Sequence, residues 1–337
     1  MLVNSWSIAL GIISLCVLFL VGTAFRTALR VLRHWRPGAD TARQIRLENE
    51  IWLSSTLVEY GLGFQIVSLL VFVMAADHFA GLIVGAMCAT GSLLANGYGV
   101  PLLLVKLCGI FLYGFWIVLH QLDIRSPSYP LVRLKYCLLL ALFPFLLLEI
   151  GLQTLYLANL RPDIITSCCA VVFGGAQQPD TNLLAGYAGA RPMFFFYGLA
   201  ILLFGLGLWQ RATEKTAVAV TSLYGLVWVV FFLLSLVVIT TVISSYIYAM
   251  PYHHCPFCIL KPEYDFIGYP LFASLILATF AAGVTVMAVL LRHTAGLAGA
   301  TARLRRFSLS CSLVLLVLFV LLSSWHYVVY YVVGGES

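Results

Sequence analysis

The chain has 337 residues, 62% of them hydrophobic and 9% charged, with a formal net charge of +6. Soluble domains carry roughly 25% charged residues, so the composition is that of a bilayer protein and leaves no room for a separate soluble domain. The positive charge is not a nucleic-acid footprint, because the basic residues flank hydrophobic runs, where membrane orientation accounts for them.

A membrane-crossing helix needs about 20 predominantly apolar residues. On that measure the chain is an all-α integral membrane protein. Eight spans are expected at about 5–25, 51–75, 100–121, 132–157, 192–211, 217–249, 267–291 and 308–333. The first run follows Met1-Leu2-Val3-Asn4 with no basic segment before it. It therefore reads as an uncleaved span and not as a signal peptide.

Segment 78–97 is also apolar. Its placement is decided by the basic residues. With eight spans, one side holds Arg26, Arg30, Arg33, Arg36, Arg43, Arg46, Arg125, Arg133, Lys135, Arg211, Lys215, Arg292, Arg303, Arg305 and Arg306, fifteen of the nineteen Lys and Arg. If 78–97 crossed as well, every later loop would invert and the bias would vanish. Lys and Arg concentrate in cytoplasmic loops. The segment is therefore expected to form a re-entrant or surface-lying helix on the outer side, with Gly81 and Gly85 as a close-packing pair and Cys88 and Ser92 continuing their stripe. Both termini are then periplasmic, in a bacterial inner membrane.

Five of the nine cysteines fall on the expected outer side: Cys88, the adjacent Cys168-Cys169, and Cys255 and Cys258 of the sequence Cys255-Pro256-Phe257-Cys258. Segments bearing cysteine follow spans 2 and 6, a placement that suits two halves of four spans each. Cys16, Cys108, Cys137 and Cys311 lie singly within spans and read as packing residues.

Two cysteines separated by two residues can close a small disulfide ring. A thiol at a helix N-terminus is activated, so Cys255 is expected as an N-cap with Pro256 at the first helical position. The tetrapeptide resembles a glutaredoxin active site over these four residues. Adjacent cysteines can pair with each other only through a strained ring, and strained disulfides are the more readily reduced.

Ionisable residues inside a membrane are costly enough to be functional candidates. Lys106 and Glu149 lie at matching depths in spans 3 and 4 and are expected to pair, either as a quinone headgroup site or as a structural ion pair. Glu59, Gln65 and Gln153 are further intramembrane polar groups. His78, His253, His254 and His326 gather on the outer side as candidate copper or zinc ligands beside the thiols. Tyr246, Tyr248, Tyr252, Tyr264, Tyr269, Tyr327, Tyr330 and Tyr331 crowd the same boundary, as interfacial aromatics do.

The expected function is thiol–disulfide exchange on the periplasmic face. Cys255 engages a periplasmic thiol protein and Cys258 resolves the mixed disulfide. Cys168-Cys169 passes electrons through Cys88 to a quinone near Lys106 and Glu149. The logic parallels quinone-coupled membrane thiol oxidases, as functional analogy only. Two other classes stay open: a copper- or zinc-handling membrane protein, and a non-catalytic subunit of a larger respiratory or assembly complex.

Overall fold

The computed structural model describes residues 4–35, 41–86, 88–126, 128–162, 190–213, 217–250 and 253–333. All regular structure among them is helical. The helices are α1 (Ser5–His34), α2 (Ala42–Ala80), α3 (Ala89–Leu94), α4 (Gly99–Asp123), α5 (Val132–Ala158), α6 (Ala190–Ala212), α7 (Val218–Val238), α8 (Ser244–Tyr248), α9 (Gly268–Leu290) and α10 (Ala298–Val333). A π-helical turn, Ile239–Ile243, joins α7 to α8, so the two form one span. Eight helices are then long and apolar enough to cross a membrane, and the chain is a multi-pass membrane protein.

Three helices run beyond the expected spans. α1 continues to His34, α2 begins at Ala42, and α10 begins at Ala298. Their extra turns carry the charged residues, which are favourable helix formers in water. Arg30 on α1 pairs with Glu50 on α2 at 2.6 Å. The helix starts are also encoded locally: the Asn4 side chain accepts from Trp6 N–H, and Thr41 accepts from Gln44 N–H, as N-cap residues do.

The expected single helix over 78–97 takes a different form. His78 and Phe79 finish α2, turns follow over 81–85, and only the six residues of α3 are helical before α4 begins. Gly85 explains the break: its φ of +82° lies in the left-handed region that glycine adopts without strain. Gly81 and Gly85 thus serve turns and do not form a helix-packing stripe.

The chain divides into two compact units. The first comprises Met1–Val84, Ser92–Thr166 and His293–Ala300. Its helices α1, α2, α4 and α5 pack in a ring, each against two neighbours. On α1 the buried residues Ser7, Leu10, Ser14, Val17, Val21, Ala24, Ala28 and Val31 alternate three and four apart, the spacing of a left-handed helix-packing seam.

The second unit comprises Gly85–Gly91, Ser167–Arg292 and Thr301–Ser337. Its core is aromatic: Phe196 of α6, Trp228 and Phe231 of α7 and Phe319 of α10 are all buried, with Phe196 and Phe231 stacked at 5.3 Å and Phe231 edge-on to Phe319 at 6.0 Å. Hydroxyl pairs link these helices, the buried Tyr224 of α7 with Ser312 of α10 at 2.9 Å and the half-buried Tyr197 of α6 with Ser324 of α10 at 2.8 Å. Such pairs satisfy polar groups where lipid cannot.

Candidate thiol centre

Within the second unit, Cys88, Cys255 and Cys258 converge. Their sulfurs all lie within 4.8 Å of one another, and those of Cys88 and Cys255 are 3.3 Å apart. Cys88 and Cys255 are fully buried, and Cys258 is 8% exposed. A disulfide requires about 2.05 Å between sulfurs, so Cys88 and Cys255 are in contact without a disulfide between them.

Local chemistry positions each sulfur. Past the left-handed Gly85, the Cys88 carbonyl accepts from Gly91 N–H at 2.9 Å, which sets Cys88 just ahead of α3. In α3, the Thr90 hydroxyl stands 3.2 Å from Cys255 Sγ. The loop carrying Cys255 is held from α8: the Tyr248 hydroxyl donates to the Cys255 carbonyl, and His254 Nδ1 meets the Ser245 hydroxyl at 3.1 Å.

Beyond Cys255 the chain forms two short 3-10 turns, Cys258–Leu260 and Pro262–Tyr264. Cys255 is therefore not the N-cap of an α-helix. Phe257 caps a single turn instead, because Lys261 N–H already closes onto the Cys258 carbonyl and Pro262 follows. Gly268 at the start of α9 lets this loop sit close. A Cβ there would come within 2.9 Å of the Ile259 carbonyl oxygen.

The span leading into this loop departs from α-geometry near its C-terminal end. Ile239–Ile243 forms a buried π-helical turn. Around it the hydroxyls of Thr240, Thr241 and Ser244 each donate to the carbonyl four residues back, at 2.8–2.9 Å. Ser and Thr bonding back in this way loosens a helix ladder, and single π-turns frequently mark functional sites.

Among the candidate histidines, His253 lies with its ring 4.5 Å from that of Tyr248. His78, in the first unit, lies against Trp6 and Phe79. His326 Nδ1 is buried with no hydrogen-bond partner. Among the described residues, the grouping of metal-ligating atoms consists of the three cysteines. Cys168 and Cys169 lie outside the described residues, as does Tyr252. Tyr246 clusters with Tyr327 and Tyr330 at 4.9 and 5.3 Å. Burial pushes the Tyr264 phenol above its ordinary pKa, with a negative charge at Cys258 acting in the same direction.

The single intramembrane cysteines differ from expectation: Cys16, Cys108 and Cys137 are exposed on outward helix faces. In a bilayer such faces meet lipid, and a thiol is apolar enough to do so.

In the first unit Lys106 and Glu149 pair at 2.9 Å, both buried. The network is larger than the pair. Lys106 also donates to Ser68 at 2.9 Å, Tyr113 donates to Glu149 Oε2 at 2.6 Å, and the Gln65 amide donates to Glu149 Oε1 at 2.7 Å. Gln65 Oε1 is buried without a partner. Gln153 joins α1 instead, donating to Ser14 Oγ at 2.8 Å.

A second buried pair was not apparent from the sequence. Lys135 donates to Asp123 at 3.0 Å and lies 3.2 Å from His120 Nδ1, while His120 Nε2 is 3.6 Å from Glu59. His120 thus lies inside α4 and within this network.

No protein-family model matches this chain, and neither a curated protein nor a solved structure shows detectable similarity to it.

Proposed function

We propose that this chain is a membrane thiol–disulfide exchange protein working at the periplasmic face of a bacterial inner membrane. The observation that carries the reading is the position of the Cys255 sulfur, 3.3 Å from Cys88 Sγ and within 4.8 Å of Cys258 Sγ. A sulfur in reach of two others can exchange one disulfide partner for the other, which is the elementary step of thiol–disulfide transfer.

The exposures order the roles. Cys258 is the most accessible of the three, so a thiolate of a reduced periplasmic protein attacks Cys258 of a Cys255–Cys258 disulfide, forming a mixed disulfide and freeing Cys255 as a thiolate. The partner's second thiol then releases Cys258 and leaves with the disulfide. This reverses the roles expected of the two sulfurs from their order in the chain. The Cys258 thiolate regenerates its bond to Cys255 by displacing Cys88 from a Cys88–Cys255 disulfide. Forming that disulfide from two thiols releases two electrons and two protons, the amounts a lipid-soluble quinone takes up in becoming a quinol.

Support for a quinone comes from Gln65. Its carbonyl oxygen is a buried acceptor without a partner, and its amide is fixed by Glu149, which Lys106 and Tyr113 hold. A quinol hydroxyl is the kind of donor such an acceptor takes.

The test is differential alkylation with mass spectrometry on the purified full-length chain, poised across potentials. A Cys88–Cys255 or Cys255–Cys258 pair is expected to cycle between about −300 and −100 mV, the range of exchange-active protein disulfides. Thiols that stay reduced across the whole range would remove the exchange function.

A further inference from the structure

We infer that Cys88, Cys255 and Cys258, when reduced, form a binding site for a single thiophilic d10 metal ion, Cu(I) or Zn(II). This goes beyond the exchange reading and does not depend on it: exchange needs two sulfurs at a time, whereas the ion needs all three.

The first argument is geometric. Three sulfurs bound to one ion at about 2.3 Å stand about 3.8–4.0 Å from one another. The observed sulfurs bracket that spacing, with one pair at 3.3 Å and all pairs within 4.8 Å. Side-chain shifts of under about 1 Å would make the three equidistant from one ion, well within rotamer freedom.

The second argument is chemical. Thiolates are the ligands that select Cu(I) and zinc over harder cations. Three sulfurs brought together at near-complete burial present a soft donor set that hard, oxygen-preferring cations do not match.

The third argument is the surrounding shell. The Thr90 hydroxyl lies 3.2 Å from Cys255 Sγ, where it can donate to a ligating sulfur. Tyr248 fixes the Cys255 backbone, and Gly91 fixes that of Cys88. Ligands held in this way by outer partners are characteristic of metal sites. The ligands also come from two chain segments far apart in sequence, so the fold, and not the Cys255–Cys258 spacing alone, creates the site.

The experiment titrates the reduced full-length chain, without oxygen or added thiol, against Cu(I) held by a chromophoric chelator, and separately against Zn(II) held by a zinc indicator. The expected result is removal of a single ion per chain from the competitor. Cys88→Ser, Cys255→Ser and Cys258→Ser are each expected to lower affinity by more than about tenfold, since even outer-shell losses cost that much. Cys16→Ser is expected to leave it unchanged. The better-held ion identifies the metal.

Should a serine variant fail to fold, the wild-type chain answers by another route: bound metal must protect Cys88, Cys255 and Cys258 from alkylation together. A reduced, folded chain that leaves both ions on their competitors, or shows no such protection, overturns the inference. Redox cycling by that same chain would leave the exchange function standing. Metal binding without a redox-cycling pair would do the reverse.

Discussion

The Thr90 hydroxyl and the Cys255 sulfur lie 3.2 Å apart, a polar side chain of α3 against the central thiol of the centre. A hydroxyl donating to a thiolate is a charge-assisted hydrogen bond, worth about 1.5–3 kcal/mol. Thr90→Val keeps the shape and removes the donor. The variant is expected to slow alkylation of Cys255 by roughly tenfold, the lower end of that range, while Cys258 is modified as before. Equal rates for Cys255 in the two proteins would show that the hydroxyl does not act on the sulfur.

Exposure predicts an order of modification. Cys258, at 8% exposed, should react with a bulky maleimide before the fully buried Cys88 and Cys255. Time-resolved labelling read by peptide mass spectrometry measures this directly. Reaction of Cys88 first would mean that the loop does not cover the centre from that side.

The Lys106–Glu149 pair should behave as a buried ion pair. Removing one partner strands a charge and costs about 3–5 kcal/mol. Lys106→Met is therefore expected to lower the thermal unfolding temperature in detergent markedly. The double variant Lys106→Met with Glu149→Gln removes both charges and leaves Tyr113 an acceptor, so it should regain most of the loss. A double variant no more stable than the single one would contradict this account.

Tyr248→Phe tests what holds the cysteine loop. The phenol donates to the Cys255 carbonyl, and a neutral hydrogen bond of this kind contributes about 0.5–1.5 kcal/mol. The variant should show faster hydrogen exchange over 253–261 with the protection of α9 unchanged. Uniformly faster exchange through the second unit would point instead to a global role in stability.

The charge bias predicts sidedness. If the fifteen of nineteen basic residues that the sequence groups on one side face the cytoplasm, an eight-span chain is expected to present its C-terminus to the periplasm. A C-terminal alkaline phosphatase fusion should be active in cells and a green fluorescent protein fusion dark.

Much of this was legible in the sequence, for identifiable reasons. Spans are written as length and hydropathy, and all eight emerged because each apolar run is bounded by charge. Matching depth anticipated the contact of Lys106 with Glu149. Shared sidedness grouped Cys88 with Cys168, Cys169 and the Cys255–Cys258 motif, but it set Cys88 next to Cys168-Cys169, and the contact of Cys88 with Cys255 was not anticipated. What escaped was written in no period. Thr90 and Tyr248 carry no signal apart from the fold that places them. His120, Asp123 and Lys135 fall at the ends of spans, where charge reads as solvated, yet the turn between α4 and α5 folds Asp123 back to accept from Leu131 N–H at 2.8 Å. The break at 81–85 was hidden because hydropathy continues through it while the backbone does not.

The π-helical turn at Ile239–Ile243 lets the span hold one residue beyond the α-helical count. Each residue of an α-helix advances the chain by about 100° around its axis, whereas a π turn takes one more residue to complete about the same rotation. Deleting one residue between Val238 and Ser244 should therefore restore an ordinary ladder and leave Ser245 and Tyr248 still facing His254 and Cys255. Adding a residue there has no such slack to draw on and should turn them about 100° away, disabling the centre from a distance along the helix while hydropathy hardly changes.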